Sequence, residues 1–298
     1  MSVIKRDSFL NLSNFGNIVS EIRKKHFDSW NWFLLALQAD CLSINQQHFF
    51  ELIALEYLAD KWRQVGVVPY PHQVKTAEQV IYKLQGQAIL ADEVGLGKTI
   101  EAGLILKEYM LRGLVKKTLI LTPASLVWQW YHELYEKFHI ISGIQRTQWD
   151  WEHADTLIAS LDTAKREQHA ALISQIPYDM IIIDEAHKLK NSSTASFKLV
   201  NSLQKKYCLM LTATPIQNDL KELYNLISLL KPGQLGSYRS FKARFVQDKR
   251  TPKNPQELKA LLSQVMIRNK RGEGTVQFTK RVVHPIIVSL TPTEKELY

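Results

Sequence analysis

Two short strings hold the residues that could do chemistry. The first is Asp92-Glu93-Val94-Gly95-Leu96-Gly97-Lys98-Thr99, which follows an apolar run and opens a helical one. Gly95 and Gly97 admit backbone conformations that other residues disfavour, so successive N–H groups can converge on one anion. A helix starting near Thr99 adds its positive end. Lys98 can reach β- and γ-phosphates, and the Thr99 hydroxyl can bind Mg2+. Asp92 stands where the general phosphate-loop pattern has glycine. The second string is Met180-Ile181-Ile182-Ile183-Asp184-Glu185. Its apolar residues make a buried strand whose carboxylates emerge at the carboxyl end, where open α/β sheets hold ligands. Asp184 is placed to hold Mg2+, and Glu185 to orient and deprotonate an attacking water. An acidic pair after a core strand is common in isolation. Two matches in this order, 86 residues apart between Lys98 and Asp184, are not. The expected site takes ATP and Mg2+, with Lys98, Asp184 and Glu185 catalytic, Gly95, Gly97, Lys98 and Thr99 on the nucleotide, and Thr99 and Asp184 on the metal.

The surrounding elements must position these residues. Ala88–Leu90, Thr118–Leu121, Leu157–Ala159, Met180–Ile183 and Cys208–Leu211 are short continuous apolar runs, as expected for strands covered on both faces. Helical stretches such as Ile100–Leu111 and Leu126–Phe138 lie between them, which predicts a doubly wound α/β domain. Residues 1–65 read as helical. Trp30–Ala39 is densely apolar, Ser43 and Gln46 have capping-box spacing, and Gln47–Trp62 carries an apolar stripe. Past Pro232 the spacing predicts helices over Tyr238–Phe245 and Pro255–Met266 and a strand over Val282–Leu290.

Further strings carry a family resemblance. Asp184-Glu185-Ala186-His187 continues into Lys188-Leu189-Lys190-Asn191, and Leu211-Thr212-Ala213-Thr214-Pro215-Ile216-Gln217-Asn218 follows. These resemble motifs II and III of superfamily II helicase-like ATPases, and their extensions resemble the Swi/Snf family of DNA translocases. Pro71-His72-Gln73 resembles the Q motif, Leu121 to Trp130 motif Ia, and Ile158 to Asp162 motif Ib. The phosphate loop, continued by Ile100-Glu101-Ala102-Gly103, is most similar to the bacterial RapA/HepA-like branch, in which Asp92 is normal. Met266-Ile267-Arg268-Asn269-Lys270-Arg271 fits that branch better than the paired arginines of other members.

The resemblance covers about 70–298 and implies a RecA-like P-loop lobe with a mostly parallel sheet. It implies the ATP-binding lobe over 66–231, a basic helical protrusion over 232–285 and the start of a connection over 286–298, while residues 1–65, read as helical from their own pattern, are expected to form an N-terminal extension outside it. It also implies Gln73 on adenine, Ile100 beside the nucleotide, and His187, Thr212 and Thr214 relaying nucleotide state. Double-stranded DNA is the implied partner, bound without sequence preference through Thr122, Ser125, Ser160, Lys242 and Arg244. RNA polymerase or another protein–DNA complex is the implied target, in a nucleoid-associated cytoplasmic setting. Motifs IV to VI, with their arginine finger, do not occur before Tyr298, so weak binding and poor hydrolysis are expected of this chain as a piece of a longer protein. A non-catalytic binding module and a restriction or phage-defence motor are the alternatives.

Composition narrows the same choice. Of 298 residues, Lys and Arg number 38 and Asp and Glu 29, a net +9. Residues 232–298 hold 13 basic and 5 acidic side chains, so the excess is C-terminal. Each of these basic residues fits a solvated helix face as well as a DNA contact. Trp128 and Trp130 cannot share one helix face, and Trp130 is expected in the core. Cys41 and Cys208 read as buried thiols of a reducing compartment. The polar N-terminus does not resemble a signal peptide, and no apolar run is long enough to span a membrane.

Overall fold

The computed structural model describes residues 52–215, 219–248 and 251–271. The chain divides into two compact units, 1–52 and 53–298. The expected features at Trp30–Ala39, Ser43 with Gln46, Cys41, Ile216–Asn218, Lys249, Arg250 and Val282–Leu290 lie outside the described residues, as does the expected connection over 286–298.

The second unit opens with α1 (Ile53–Val65). It lies in the same unit as the sheet. Its Trp62 meets Phe138 edge to face at 6.0 Å and donates its indole N–H to Lys137 O at 2.6 Å. Its first turn is anchored where Ala54 N–H donates to the buried Glu108 carboxylate at 2.7 Å. α2 (Pro71–Glu78) follows, with proline at its first position where no N–H is needed.

A seven-stranded sheet forms the centre: β1 (Gln87–Leu90), β2 (Thr118–Thr122), β3 (Gly143–Ile144), β4 (Thr156–Ser160), β5 (Tyr178–Ile183), β6 (Lys205–Leu211) and β7 (Met266–Ile267). Its order is β3-β4-β2-β5-β6-β1-β7 and every pairing is parallel. The intervening helices are α3 (Lys98–Leu111), α4 (Val127–Phe138), α5 (Trp149–His153), α6 (Leu161–Ala164), α7 (Glu167–Ile173), α8 (Ala195–Ser202), α9 (Leu220–Leu230), α10 (Tyr238–Phe245) and α11 (Pro255–Leu262). No helix among the described residues is long and apolar enough to cross a membrane.

One sheet face presents Ile89, Leu119, Leu157, Ile181 and Cys208 to a core completed by Leu199, Leu223, Ile227 and Phe241. The opposite face, with Ile120, Ile158, Ile182 and Leu209, is equally buried. Both faces being covered explains why the strands read as unbroken apolar runs rather than alternating ones. Burial pushes the Cys208 thiol up to about 11, so it remains an inert core residue.

One expected element changes type. The helix predicted over Pro255–Met266 ends at Leu262, and Met266–Ile267 becomes β7. The free edge of β1 takes these residues: Ile89 N–H donates to Val265 O and Ala91 N–H to Ile267 O, each at 2.8 Å.

Candidate functional site

Parallel strands end on one edge of the sheet, and the phosphate loop and motifs Ia, Ib, II and III leave from that edge, whereas Pro71-His72-Gln73 opens α2 ahead of β1. The phosphate loop follows β1, Asp184 follows β5, and Thr212 follows β6, which lies between them. Ser125 follows β2, and Ser160 closes β4, where it pairs with Thr122. The row β4, β2, β5, β6, β1 therefore runs from motif Ib to the phosphate loop.

The loop is shaped to receive an anion. Gly95 and Gly97 have φ of +86° and +82°, which side chains rarely adopt. The side-chain amide of Gln73 packs so closely on Gly97 that a Cβ there would collide with it. That amide accepts from Tyr70 N–H and donates to Leu96 O, both at 2.9 Å. Gln73 thus braces the loop against α2. Lys98, at the N-terminus of α3, donates to Asp92 O at 2.8 Å and reaches Glu93 O at 3.5 Å. Phosphate oxygens, being charged, are stronger acceptors than these neutral carbonyls. Thr99 and Ile100 occupy the same first turn, partly exposed.

Beneath the loop lies a buried polar cluster that the sequence did not disclose. Asp92 is fully buried, its Oδ1 accepting from Asn269 N–H at 2.8 Å and its Oδ2 from the Asn269 side-chain amide at 2.9 Å. Glu101 is also fully buried; burial and the adjoining Asp92 carboxylate push its carboxyl well above the usual range. The shift favours the protonated form of Glu101, which has an O–H to donate beside the Asp92 carboxylate. His72 adjoins them, with Asp92 and Glu101 ligand atoms within 4.8 Å of its own. Its Nε2 lies 3.1 Å from Leu96 O, which only accepts, so Nε2 carries the proton.

Across the site, Asp184 Oδ1 accepts from Glu185 N–H at 2.8 Å and Oδ2 accepts from the Trp130 indole at 2.9 Å. Each oxygen has a further lone pair, and a carboxylate and a hydroxyl such as that of Thr99 are the oxygen donors that a hard cation such as Mg2+ takes. Glu185 has φ +49°, a left-handed conformation uncommon for a non-glycine residue and typical of functional positions. Its Oε2 lies 2.9 Å from His187 Nδ1. Thr212 is buried and its hydroxyl accepts from Thr214 N–H at 3.2 Å, so the two coupling candidates are joined.

The expected DNA contacts divide. Ser125 is exposed, and Ser160 caps α6 by accepting from Asp162 N–H at 3.1 Å. Thr122 is fully buried at the end of β2 and its hydroxyl is enclosed. Lys242 is exposed on α10, whereas Arg244 forms an ion pair with Glu257 of α11. Trp128 is 54% exposed and Trp130 1%, as their spacing required.

A sheet of this order with a phosphate loop after β1 and a carboxylate pair after β5 defines a P-loop nucleotide-binding lobe of the RecA-like kind. Residues 51–298 match the SNF2-related domain, and the chain belongs to that family. It is 48% identical over 277 residues to the "Uncharacterized ATP-dependent helicase YqhH" of Bacillus subtilis, covering 93% of this chain and 49% of that protein. It is 32% identical to the "RNA polymerase-associated protein RapA" of Sodalis glossinidius, over 57% of this chain and 19% of RapA. Among solved structures, the Sulfolobus solfataricus SWI2/SNF2 ATPase core in complex with dsDNA superposes with a TM-score of 0.62 at 28% identity, over 70% of this chain and 45% of that one. The chain spans about half the length of YqhH.

Proposed function

We propose that this chain is the ATP-binding lobe of an ATP-dependent translocase that moves on double-stranded DNA without separating its strands. The observation that carries it is the single row of loops along one sheet edge, with nucleotide residues at one end and the exposed Ser125 and half-buried Ser160 at the other. The likeness to an ATPase core solved with dsDNA supports the choice of duplex.

Lys98 leaves the carbonyls of Asp92 and Glu93 for the β- and γ-phosphates, while the loop N–H groups bind the same oxygens. Thr99 and Asp184 hold Mg2+, which supplies positive charge for phosphoryl transfer. Glu185 accepts the proton of the attacking water, oriented by its contact with His187. Gln73 retains one amide hydrogen and one carbonyl lone pair, the complement of adenine N7 and N6. Thr212 and Thr214 lie between phosphate loop and carboxylates and relay their state. Ser125, Ser160, Lys242 and Arg244 meet the DNA backbone, which carries no base information. Residues 232–285 form the basic protrusion, and a polymerase–DNA or other protein–DNA complex is the target.

The test is DNA-stimulated ATP hydrolysis, with triplex displacement and strand displacement measured side by side on the protein extended to the length of its relatives. Duplex-stimulated hydrolysis with triplex displacement alone is expected, and Glu185→Gln should abolish both. Strand displacement at a comparable rate would make the protein a helicase. Nucleotide-independent DNA binding with no hydrolysis would leave only a binding module.

A further inference from the structure

We propose that Trp130 is a positioning residue that sets the metal affinity of the site from the DNA-facing side of the lobe. The inference rests on the reading of Asp184 as a Mg2+ ligand.

An indole nitrogen is only a donor, and a buried one needs an acceptor. Trp130 is 1% exposed on α4, and its Nε1–H donates to Asp184 Oδ2 at 2.9 Å across 54 residues of sequence. The other oxygen, Oδ1, is already held by Glu185 N–H at 2.8 Å. One donor on each oxygen fixes the rotation of the carboxylate, so its remaining lone pairs have one direction. Hydrogen bonds of this kind to metal-ligating groups commonly change metal affinity by ~10–100-fold when removed.

The donor comes from a particular place. α4 begins at Val127, directly after the 3-10 turn Ala124–Leu126 that exposes Ser125. Trp128 and Gln129 on the same first turn are exposed, while Trp130 points inward to Asp184. Whatever shifts this turn from outside shifts the indole, and with it the carboxylate. A tryptophan present only to fill volume would need an acceptor too, but not the one carboxylate at the metal position.

The experiment measures the Mg2+ dependence of binding of a fluorescent ADP analogue to the full 298-residue chain. Trp130→Phe removes the donor. A site-specifically incorporated benzothienylalanine at position 130 keeps the bicyclic shape without the N–H and decides the matter if the phenylalanine variant folds poorly. The expected result is a rise of about tenfold or more in the Mg2+ concentration for half-maximal effect, with nucleotide binding in EDTA unchanged. A shift of less than about twofold for the isostere overturns the positioning role, as does an equal loss of binding with and without Mg2+. Asp184→Asn is the companion measurement. If it leaves the Mg2+ dependence intact, the metal assignment itself falls and takes this inference with it. If it removes the dependence while the isostere does not shift it, only the role of Trp130 falls.

Discussion

Asn269 holds Asp92 at both carboxylate oxygens, with its backbone N–H on Oδ1 at 2.8 Å and its side-chain amide on Oδ2 at 2.9 Å. The two residues are 177 positions apart. The first opens the phosphate loop and the second follows the edge strand β7, so this contact closes the nucleotide end of the sheet. The Asn269 amide also donates to Thr76 of α2 at 3.1 Å, and Glu93 N–H donates to Asn269 O at 3.3 Å. Because Asp92 is fully buried, losing the amide leaves a carboxylate oxygen short of a donor. Asn269→Ala should lower stability by about 2 kcal/mol, within the range for a hydrogen bond to a buried charge. Urea unfolding reads this directly, and nucleotide affinity should fall with it. A change below about 0.5 kcal/mol would mean that the segment after β7 does not hold the loop.

Lys98 makes the opposite case, a residue whose bonds in this structure contribute little to folding. Its ammonium is partly exposed and, among the described residues, hydrogen-bonds to neutral carbonyls, which water replaces at small cost. Lys98→Ala should leave the urea midpoint nearly unchanged. A charge-assisted hydrogen bond to phosphate is worth roughly 1.5–3 kcal/mol, so affinity for ADP should drop about 10–100-fold. Calorimetric titration with ADP, beside a melting curve, separates the two effects.

Much of this site was legible in the sequence because its parts are local. A glycine-containing loop between a strand and a helix, or two carboxylates after four apolar residues, declare their geometry through neighbours in the chain. Gly95, Gly97, Lys98, Asp184 and Glu185 all stand at the sheet edge predicted for them. What was not legible depends on contacts across the fold. Nothing near Trp130 or Asn269 in sequence marks either as the partner of Asp184 or Asp92. β7 was read as the end of a helix because two residues carry no period, and only the open edge of β1 makes them a strand. The enclosure of the Thr122 hydroxyl was not legible for a related reason: its motif marks the end of a strand but not which face its hydroxyl takes.

The buried pair Asp92 and Glu101 gives a pH dependence with a definite sign. The folded-state carboxyl of Glu101 is raised well above 4.5, by burial first and by Asp92 second. The folded chain therefore keeps a proton that the unfolded chain releases. This contribution is present in full below about pH 4.5 and is lost as pH rises toward the folded value. Glu101→Gln retains a donor for Asp92 without an ionisable proton. Measured by urea at pH 5.5 and pH 8, the variant should gain on the native protein by about 1.4 kcal/mol per pH unit over the part of that range below the folded value. A difference independent of pH would mean that Glu101 is ionised in the folded chain.

Gly103 lies mid-helix in α3, where glycine is normally replaceable by alanine with a gain of up to about 1 kcal/mol. Here a Cβ would run into the ring of the fully buried Phe138 of α4. Gly103→Ala should destabilise by about 1–3 kcal/mol, the usual cost of overpacking a dense core. Pairing it with Phe138→Leu should recover part of that loss, and a double-mutant cycle by urea unfolding measures the coupling. Full additivity would show that α4 can move away from α3 at no cost.

Lys242 and Arg244 were expected to act alike toward DNA, and the structure separates them. Both are exposed on α10, but Arg244 already has an anion in Glu257 of α11. A lysine contacting one phosphate contributes about −0.9 to the slope of log affinity against log salt. Lys242→Ala should flatten the slope by close to that amount on any duplex sequence. Arg244→Ala should flatten it less, because the arginine must leave Glu257 to bind. Glu257→Gln tests the same relation from the other side: with the competing carboxylate gone, affinity for duplex should rise at low salt and the slope should steepen. Fluorescence anisotropy on one duplex at four salt concentrations supplies all three numbers. Identical slopes for the native chain and for Lys242→Ala would put α10 away from the DNA and leave its charge as a solvated face.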